Sequence, residues 1–198
     1  PMTLGRARTF LSRSGLLVGL ILLFVLLALF APNFMTTRNQ LNVLRAVAFN
    51  GIIACAMTFI IISGDIDVSV GSAVAWASSL LGVLAIKQGW PLWLAVITVV
   101  AQQTVVHGLA GYIRCKWNVP AFVVTLTLFM SLRGAARLIT NAYPITPFPD
   151  EFNFWGGGYV AGTIPVPAII MVVTFIIFQF ISTRTVFGRW VYSVGGNE

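Results

Sequence analysis

The strongest constraint on this chain is a series of long apolar runs separated by short polar connectors. Residues 15–31, GLLVGLILLFVLLALFA, contain no charged side chain. At about 1.5 Å per residue such a run reaches roughly 25 Å, near the lower limit for a helix crossing a bilayer. Five further runs follow, at about 44–63, 71–86, 91–113, 119–139 and 164–182. In lipid every backbone N–H and C=O must be satisfied within the segment, which makes each run a helix. Composition agrees: 58% of residues are hydrophobic and 9% charged, against about 25% charged in a typical soluble domain. The expected fold is all-α, a polytopic membrane protein with about six transmembrane helices forming a single domain over 1–198.

The formal charge of +7 raises nucleic-acid binding as a function. The basic residues are scattered, and no Lys/Arg patch with interleaved aromatics is present, so nucleic acid is rejected as a partner. In a membrane chain basic residues set orientation instead. With six crossings and the N-terminus inside, Arg6, Arg8, Arg13, Arg114, Lys116, Arg184 and Arg189 fall on the inner side. Arg38, Arg45, Lys87, Arg133 and Arg137 fall on the outer side. The larger clusters are all inner, so a cytoplasmic N-terminus is expected. Arg6, Arg8 and Arg13 resemble the start of a secretory signal. The run after them is long for one, and Pro32 stands where a cleavage site would be wanted, so the run is expected to be retained. Cys55 and Cys115 show no CxxC or Cys/His spacing, so neither a metal site nor a disulfide is expected. The chain opens at Pro1 and closes on GGNE, which suggests a piece of a longer protein lacking its C-terminal part.

Between the second and third runs stands GDIDVSVG, 64–71, with two carboxylates. A carboxylate at membrane depth costs roughly 2.5–3.5 kcal/mol on insertion scales and faces protein or water. Gly64 stops the preceding helix. Asp67 or Ser69 then caps the next one by accepting its first N–H groups, where the positive end of the helix dipole also favours an acid. The alternative role is contact with a polar ligand: a broken helix in a bundle presents backbone donors and carboxylate acceptors, and Asp accepts well from sugar hydroxyls. The topology puts the stretch at the cytoplasmic end of its span, which favours capping.

Other polar residues inside the apolar runs complete the candidate substrate pathway: Asp65, Asp67, Ser69, Asn50, Gln102 and His107. For His107, the single histidine, and for Gln102 and Gln103, hydrogen bonds between helices are the commoner role and pathway lining the second. Residues 141–163 are too polar and broken to span; they read as an external loop with a short interfacial helix. The tail 183–198 reads as amphiphilic and lying on one membrane surface. GxxxxGK[ST], HExxH and GxSxG are all absent. Any ATP used in this chain's work is therefore held by another subunit, and no cofactor is expected here.

Four stretches resemble the permease subunits of bacterial ABC importers for ribose, xylose and related sugars. AMTFIIISGDIDVSVGSAVAWAS, 56–78, is similar to the family's SGGIDLSVGS segment, with Asp65 in place of its second glycine. WNVPAFVVTLTLFMSLRGAARLITN, 117–141, is similar to its P-x-F-[IV]-V-T-L…RG…LT-[ND]-G segment, with Arg133 and Gly134 at its RG. PITPFPDEFNFWGGG, 144–158, resembles its external loop. STRTVFGRWVYSVGGNE, 182–198, resembles the segment ending in G-G-N, which in the family leads into a cytoplasmic helix that docks the ATPase. His107 stands where the family carries Asn.

The resemblance implies a non-enzymatic permease of the bacterial inner membrane. Its implied partners are the lipid bilayer, a second permease subunit, a cytoplasmic ATP-binding subunit and a periplasmic sugar-binding protein. It also implies that Gly188, Arg189, Gly195, Gly196, Asn197 and Glu198 belong to the ATPase-coupling segment. The rival from the residues alone is an ion- or proton-coupled secondary transporter or channel using Asp65 and Asp67. An intramembrane enzyme built on His107 and an aspartate ranks last, because no nucleophile or metal set accompanies them.

Overall fold

The computed structural model describes residues 4–196, with side chains from Gly15 onward. Eight α-helices follow one another: α1 Leu4–Phe30, α2 Thr37–Ile62, α3 Val70–Gly82, α4 Leu92–Trp117, α5 Ala121–Thr140, α6 Asp150–Gly157, α7 Val166–Arg184 and α8 Val186–Gly195. A π-turn, Val83–Lys87, extends α3, and a two-stranded antiparallel ribbon, β1 Tyr159–Val160 and β2 Ile164–Pro165, sits between α6 and α7. Among the described residues five helical segments are long and apolar enough to cross a membrane: Thr37–Ile62, Val70–Lys87, Leu92–Trp117, Ala121–Thr140 and Val166–Arg184. The apolar part of α1, Gly15–Phe30, is shorter than these. The chain is thus an all-α polytopic membrane protein.

Local chemistry sets the helix ends, and in two places it moves them well away from where hydropathy puts them. α2 begins at Thr37 rather than near residue 44. Thr36 is extended and its Oγ1 accepts the Asn39 N–H at 3.4 Å, while the Asn39 and Gln40 amides donate to the Phe34 carbonyl at 2.8 and 2.7 Å. The polar connector 32–42 therefore winds the first turns of the helix. α4 runs on through Arg114 and Lys116 to Trp117, because nothing stops it before Asn118 takes the left-handed conformation at φ 50°. Basic residues in that last turn also suit the negative end of the helix dipole. The third run ends in the π-turn, with the Gln88 N–H reaching back to Val83. Pro91, Pro120 and Pro149 open α4, α5 and α6, where an amide donor is not needed.

The two most extensive interhelical contacts join helices that run the same way. α2 packs along α7: Phe59 meets Phe178 at 5.4 Å between ring centroids, and Gly51 lies against Met171. α3 packs along α5, with Thr125 near the start of α3 and Arg137 near its end. α4 runs antiparallel to α3. The bundle therefore has a break end, holding 63–69, 118–120 and 185–196, and a loop end, holding 31–36, 88–91 and 141–165.

At the loop end Leu81, Leu84, Ala95 and Val99 form a small core. Phe148 and Phe152, from the approach to α6 and from α6 itself, pack against it. Pro165 and Pro167 are fully buried at the start of α7. The loop between α5 and α7 is thus a folded cap, and its short helix is α6. Elsewhere the surface is apolar: only 6% to 17% of each spanning window is buried. Exposed side chains such as Ile97, Val100, Phe175 and Ile176 form faces suited to lipid or to neighbouring helices.

Gly64, at φ 83°, closes α2. The Asp65 N–H bonds to the Ile60 carbonyl at 3.1 Å and the Gly64 N–H to Ile61 at 3.0 Å, a Schellman closure that needs a left-handed residue. Gly64→Ala is expected to destabilise the chain by about 1–2 kcal/mol. Gly71→Ala, in open space within α3, should be neutral or slightly stabilising. Thermal unfolding in detergent, followed by size-exclusion chromatography, measures both.

Candidate functional site: a clamped helix break

The two aspartates occupy the break between α2 and α3, and each is engaged by protein. Asp65 Oδ1 accepts from Arg114 Nη2 of α4 at 2.6 Å, an ion pair with the two side chains 27% and 37% exposed. That partner neutralises the Asp65 carboxylate at the end of the apolar helix α2. Asp67 Oδ1 accepts two bonds from Ser69, the backbone N–H at 2.7 Å and the hydroxyl at 2.6 Å. Asp67 therefore fixes the entry to α3 through the N–H of Ser69. Ser69 itself makes no side-chain cap to the helix. Its hydroxyl donates to Asp67 instead of accepting, which corrects the expectation that Ser69 caps α3 by accepting its N–H groups.

α4 supplies a stripe of partners on the face toward α3 and the break. The Gln102 Oε1 accepts from the Trp76 indole at 2.9 Å, and the Gln103 amide donates to the Ala73 carbonyl at 2.7 Å. His107 Nδ1 lies 3.0 Å from the Gln103 carbonyl, which can only accept, so this nitrogen carries a proton. His107 Nε2 lies 3.5 Å from the buried Ser69 hydroxyl. Arg114 follows about two turns further on. From α5, Thr125 Oγ1 accepts the Val68 N–H at 3.4 Å and lies 3.3 Å from the Ile66 carbonyl. The break is thus held from both sides by α4 and α5. Beside it opens a cavity of about 240 Å3 bounded by Ile60, Asp67, His107, Gly111, Thr125 and Leu128, among others.

Asn50 is not part of this cluster: it sits exposed on α2, on the other helix pair. Of the coupling candidates, Gly188 and Arg189 lie in the first turn of α8, where Thr185 Oγ1 accepts the Gly188 N–H at 3.2 Å. Gly195 ends α8 and Gly196 follows it. Asn197 and Glu198 lie outside the described residues. Gly195 sits directly on the Ile62 carbonyl of α2, so close that a Cβ would collide with it. The tail therefore touches the backbone just before the break.

Arg114 and Thr125 hold the break, yet sequence reasoning passed over both. The signal for Arg114 was present in outline. Gln103, His107, Ala110 and Arg114 recur at helical spacing, and an acid in an apolar chain calls for a base. Ending the helix before RCKW hid it. Among the described residues no group of three His, Cys, Asp or Glu side chains converges as a metal site. The arrangement can fix helix ends, donate and accept hydrogen bonds, and transmit movement of α8 to the break.

If the Asp65–Arg114 pair ties the break to α4, Asp65→Ala and Arg114→Ala should each lower the apparent melting temperature in detergent. The exchanged pair Asp65→Arg/Arg114→Asp should recover part of the loss. A double-mutant cycle is expected to return a coupling of about 1 kcal/mol, typical of a partly exposed pair.

Comparison with known proteins is consistent across the chain. Residues 39–198 match the family described as branched-chain amino acid transport system / permease component. The probable ABC transporter permease protein YphD of Escherichia coli (strain K12) is 45% identical over 92% of this chain and 54% of its own length. The ribose import permease protein RbsC of Bacillus subtilis (strain 168) is 37% identical over 95% of this chain and 58% of its own. The L-arabinose ABC transporter permease protein AraH of Azospirillum brasilense is 32% identical over 94% of this chain and 55% of its own. The chain thus spans a little over half the length of these relatives. No solved structure matches it. With its spanning helices, its clamped break and a family match covering most of its length, the chain belongs to the branched-chain amino acid transport system / permease component family.

Proposed function

We propose that this chain acts as the permease subunit of an ATP-driven importer that carries a pentose- or hexose-type sugar across the bacterial inner membrane. Its similarity to permeases named for ribose and L-arabinose supports the substrate class. In this reading the N-terminus is cytoplasmic, so the break end faces the cytoplasm and the loop end faces the periplasm. A separate ATP-binding subunit works at the break end. A periplasmic sugar-binding protein docks on the folded cap formed by Phe148, α6 and the β-ribbon. A second permease subunit, identical or not, completes the pathway against the exposed helix faces.

The observation that carries the mechanism is the seat of Gly195 on the last turn of α2. Movement imposed on α8 from the cytoplasm is passed by backbone contact to Ile62 and Ser63. From there it reaches the break, whose clamps lead to α4 and α5. A rigid contact of this kind transmits displacement without an added charge or cofactor. Transport then follows from different contacts in the two states of the bundle. The rival reading, a proton- or ion-coupled carrier working through Asp65 and Asp67, is disfavoured by geometry. Asp65 is paired with Arg114, and Asp67 with Ser69.

Reconstitution with the ATP-binding subunit and binding protein in liposomes tests the proposal. Uptake of labelled ribose or arabinose should require ATP and both partners and should ignore a protonophore. Uptake without ATP would remove it. Gly195→Leu is expected to reduce ATP-driven uptake by about tenfold or more while leaving the chain in the membrane, because the larger side chain lifts α8 off α2. Orientation is read separately with an impermeant maleimide in a Cys55→Ser background. The exposed Cys115 should react in inverted vesicles and stay unlabelled in intact spheroplasts.

A further inference from the structure

At the loop end, away from the clamped break, an open cavity of about 560 Å3 lies between α3, α5 and residues 142–148, with Arg133 and Arg137 exposed on its wall. That volume suits a small molecule. Ile145 packs onto α3 at Gly82 and holds the covering segment in place. Arg133 and Arg137 lie one turn apart on the wall, and the Arg133 guanidinium rests over the Phe129 ring at 5.7 Å. Among the described residues neither arginine has a carboxylate within 4.0 Å, and no acid lines the cavity. Two like charges at this spacing repel each other and work against the positive-inside bias.

The hydroxyls on the wall sharpen the ligand chemistry. Ser78 donates to the Ala75 carbonyl at 3.0 Å and Thr140 to Ala136 at 2.9 Å, so both have spent their protons on their own helices. They offer a ligand only acceptor lone pairs. The donors in reach are the Ser79 and Tyr143 hydroxyls and the two guanidinium groups, of which the guanidinium groups alone carry charge and bind planar or tetrahedral oxyanions bidentately. The wall thus asks for a molecule that carries an oxyanion to meet the arginines and hydroxyl groups to meet Ser78, Ser79 and Thr140.

We propose that this cavity is a binding site for a small hydroxylated oxyanion, a sugar acid or a sugar phosphate, held by Arg133 and Arg137. The inference deepens the importer reading and rests on it for the sugar portion of the ligand. The charge requirement stands on the arginines alone.

Titration calorimetry on the chain in phosphatidylcholine nanodiscs at low salt tests it, with D-gluconate, D-ribose 5-phosphate, D-ribose and inorganic phosphate as probes. At least one of the two hydroxylated anions should bind at least about tenfold more tightly than D-ribose, and its binding should weaken with added salt. Arg133→Ala/Arg137→Ala should lower that affinity by about tenfold or more, and Arg133→Lys/Arg137→Lys, which keeps the charge, should lose less. The lysine pair also serves where the alanine pair fails to fold. D-Ribose binding as tightly as the anions, unchanged binding in both variants, or binding of inorganic phosphate alone overturns the proposal. Abolition of gluconate and ribose 5-phosphate binding by phosphatidylglycerol in the nanodisc assigns the site to lipid headgroups and also overturns it. ATP-driven uptake of a neutral sugar with no anion binding removes this inference and leaves the importer reading intact. Anion binding without ATP-driven uptake does the reverse.

Discussion

A helix that stops leaves backbone donors and acceptors without partners in its own ladder, and the organisation of this chain turns on how the end of α2 and the start of α3 are held. Between Ser63 and Ser69 the backbone is not helical. The N–H groups of Ser63, Gly64 and Asp65 are met by α2 itself, that of Val68 by Thr125 of α5 and that of Ser69 by the Asp67 carboxylate. Asp65 adds a charge, and Arg114 of α4 answers it. The bonds of Thr125 and Arg114 join α5 and α4 to the break. A shift of α4 or α5 away from the break therefore gives up an ion pair or a hydrogen bond.

The same economy explains the pairing of helices. Apolar helices in lipid gain little from merely burying greasy surface on one another. Close packing and polar contacts decide instead. α2 meets α7 through Gly51 and a cluster of aromatic rings that continues to Phe187 at the start of α8. α3, rich in Ala, Gly and Ser, lets α5 approach closely along its length. α4 is joined to α3 by the indole and amide bonds of Trp76, Gln102 and Gln103. At the loop end the cap is pinned by Phe148 and Phe152 on the small apolar core.

Much of this was legible in the residues. Runs of apolar side chains marked the spanning helices, because length and hydropathy suffice when the solvent is lipid. GDIDVSVG announced a break, since glycine and aspartate together neither continue a helix nor suit a bilayer. The external loop betrayed its short helix, and the tail its amphiphilic character. What escaped was set by contacts distant in sequence. Hydropathy placed the start of α2 too late, because the Thr36 cap recruits polar residues into the helix. It placed the end of α4 too early, because charged residues score as connector even where they complete a turn. Arg114 was lost in that gap, although it faces Asp65. Ser69 looked like a cap, yet competition between Asp67 and the helix for its hydroxyl could be judged only once both were in position.

By itself the sequence determined that the chain crosses lipid, where it does so, and that it breaks after Ser63. These are local properties, because each run must solve its own backbone hydrogen bonding within a few turns. Only the tertiary structure decided which helices lie side by side, that α2 pairs with α7 and α3 with α5 in parallel, and that the tail rests on the last turn before the break. Apolar helix faces are nearly interchangeable in lipid, so partner choice depends on the fit of small residues and the meeting of a few polar groups far apart along the chain.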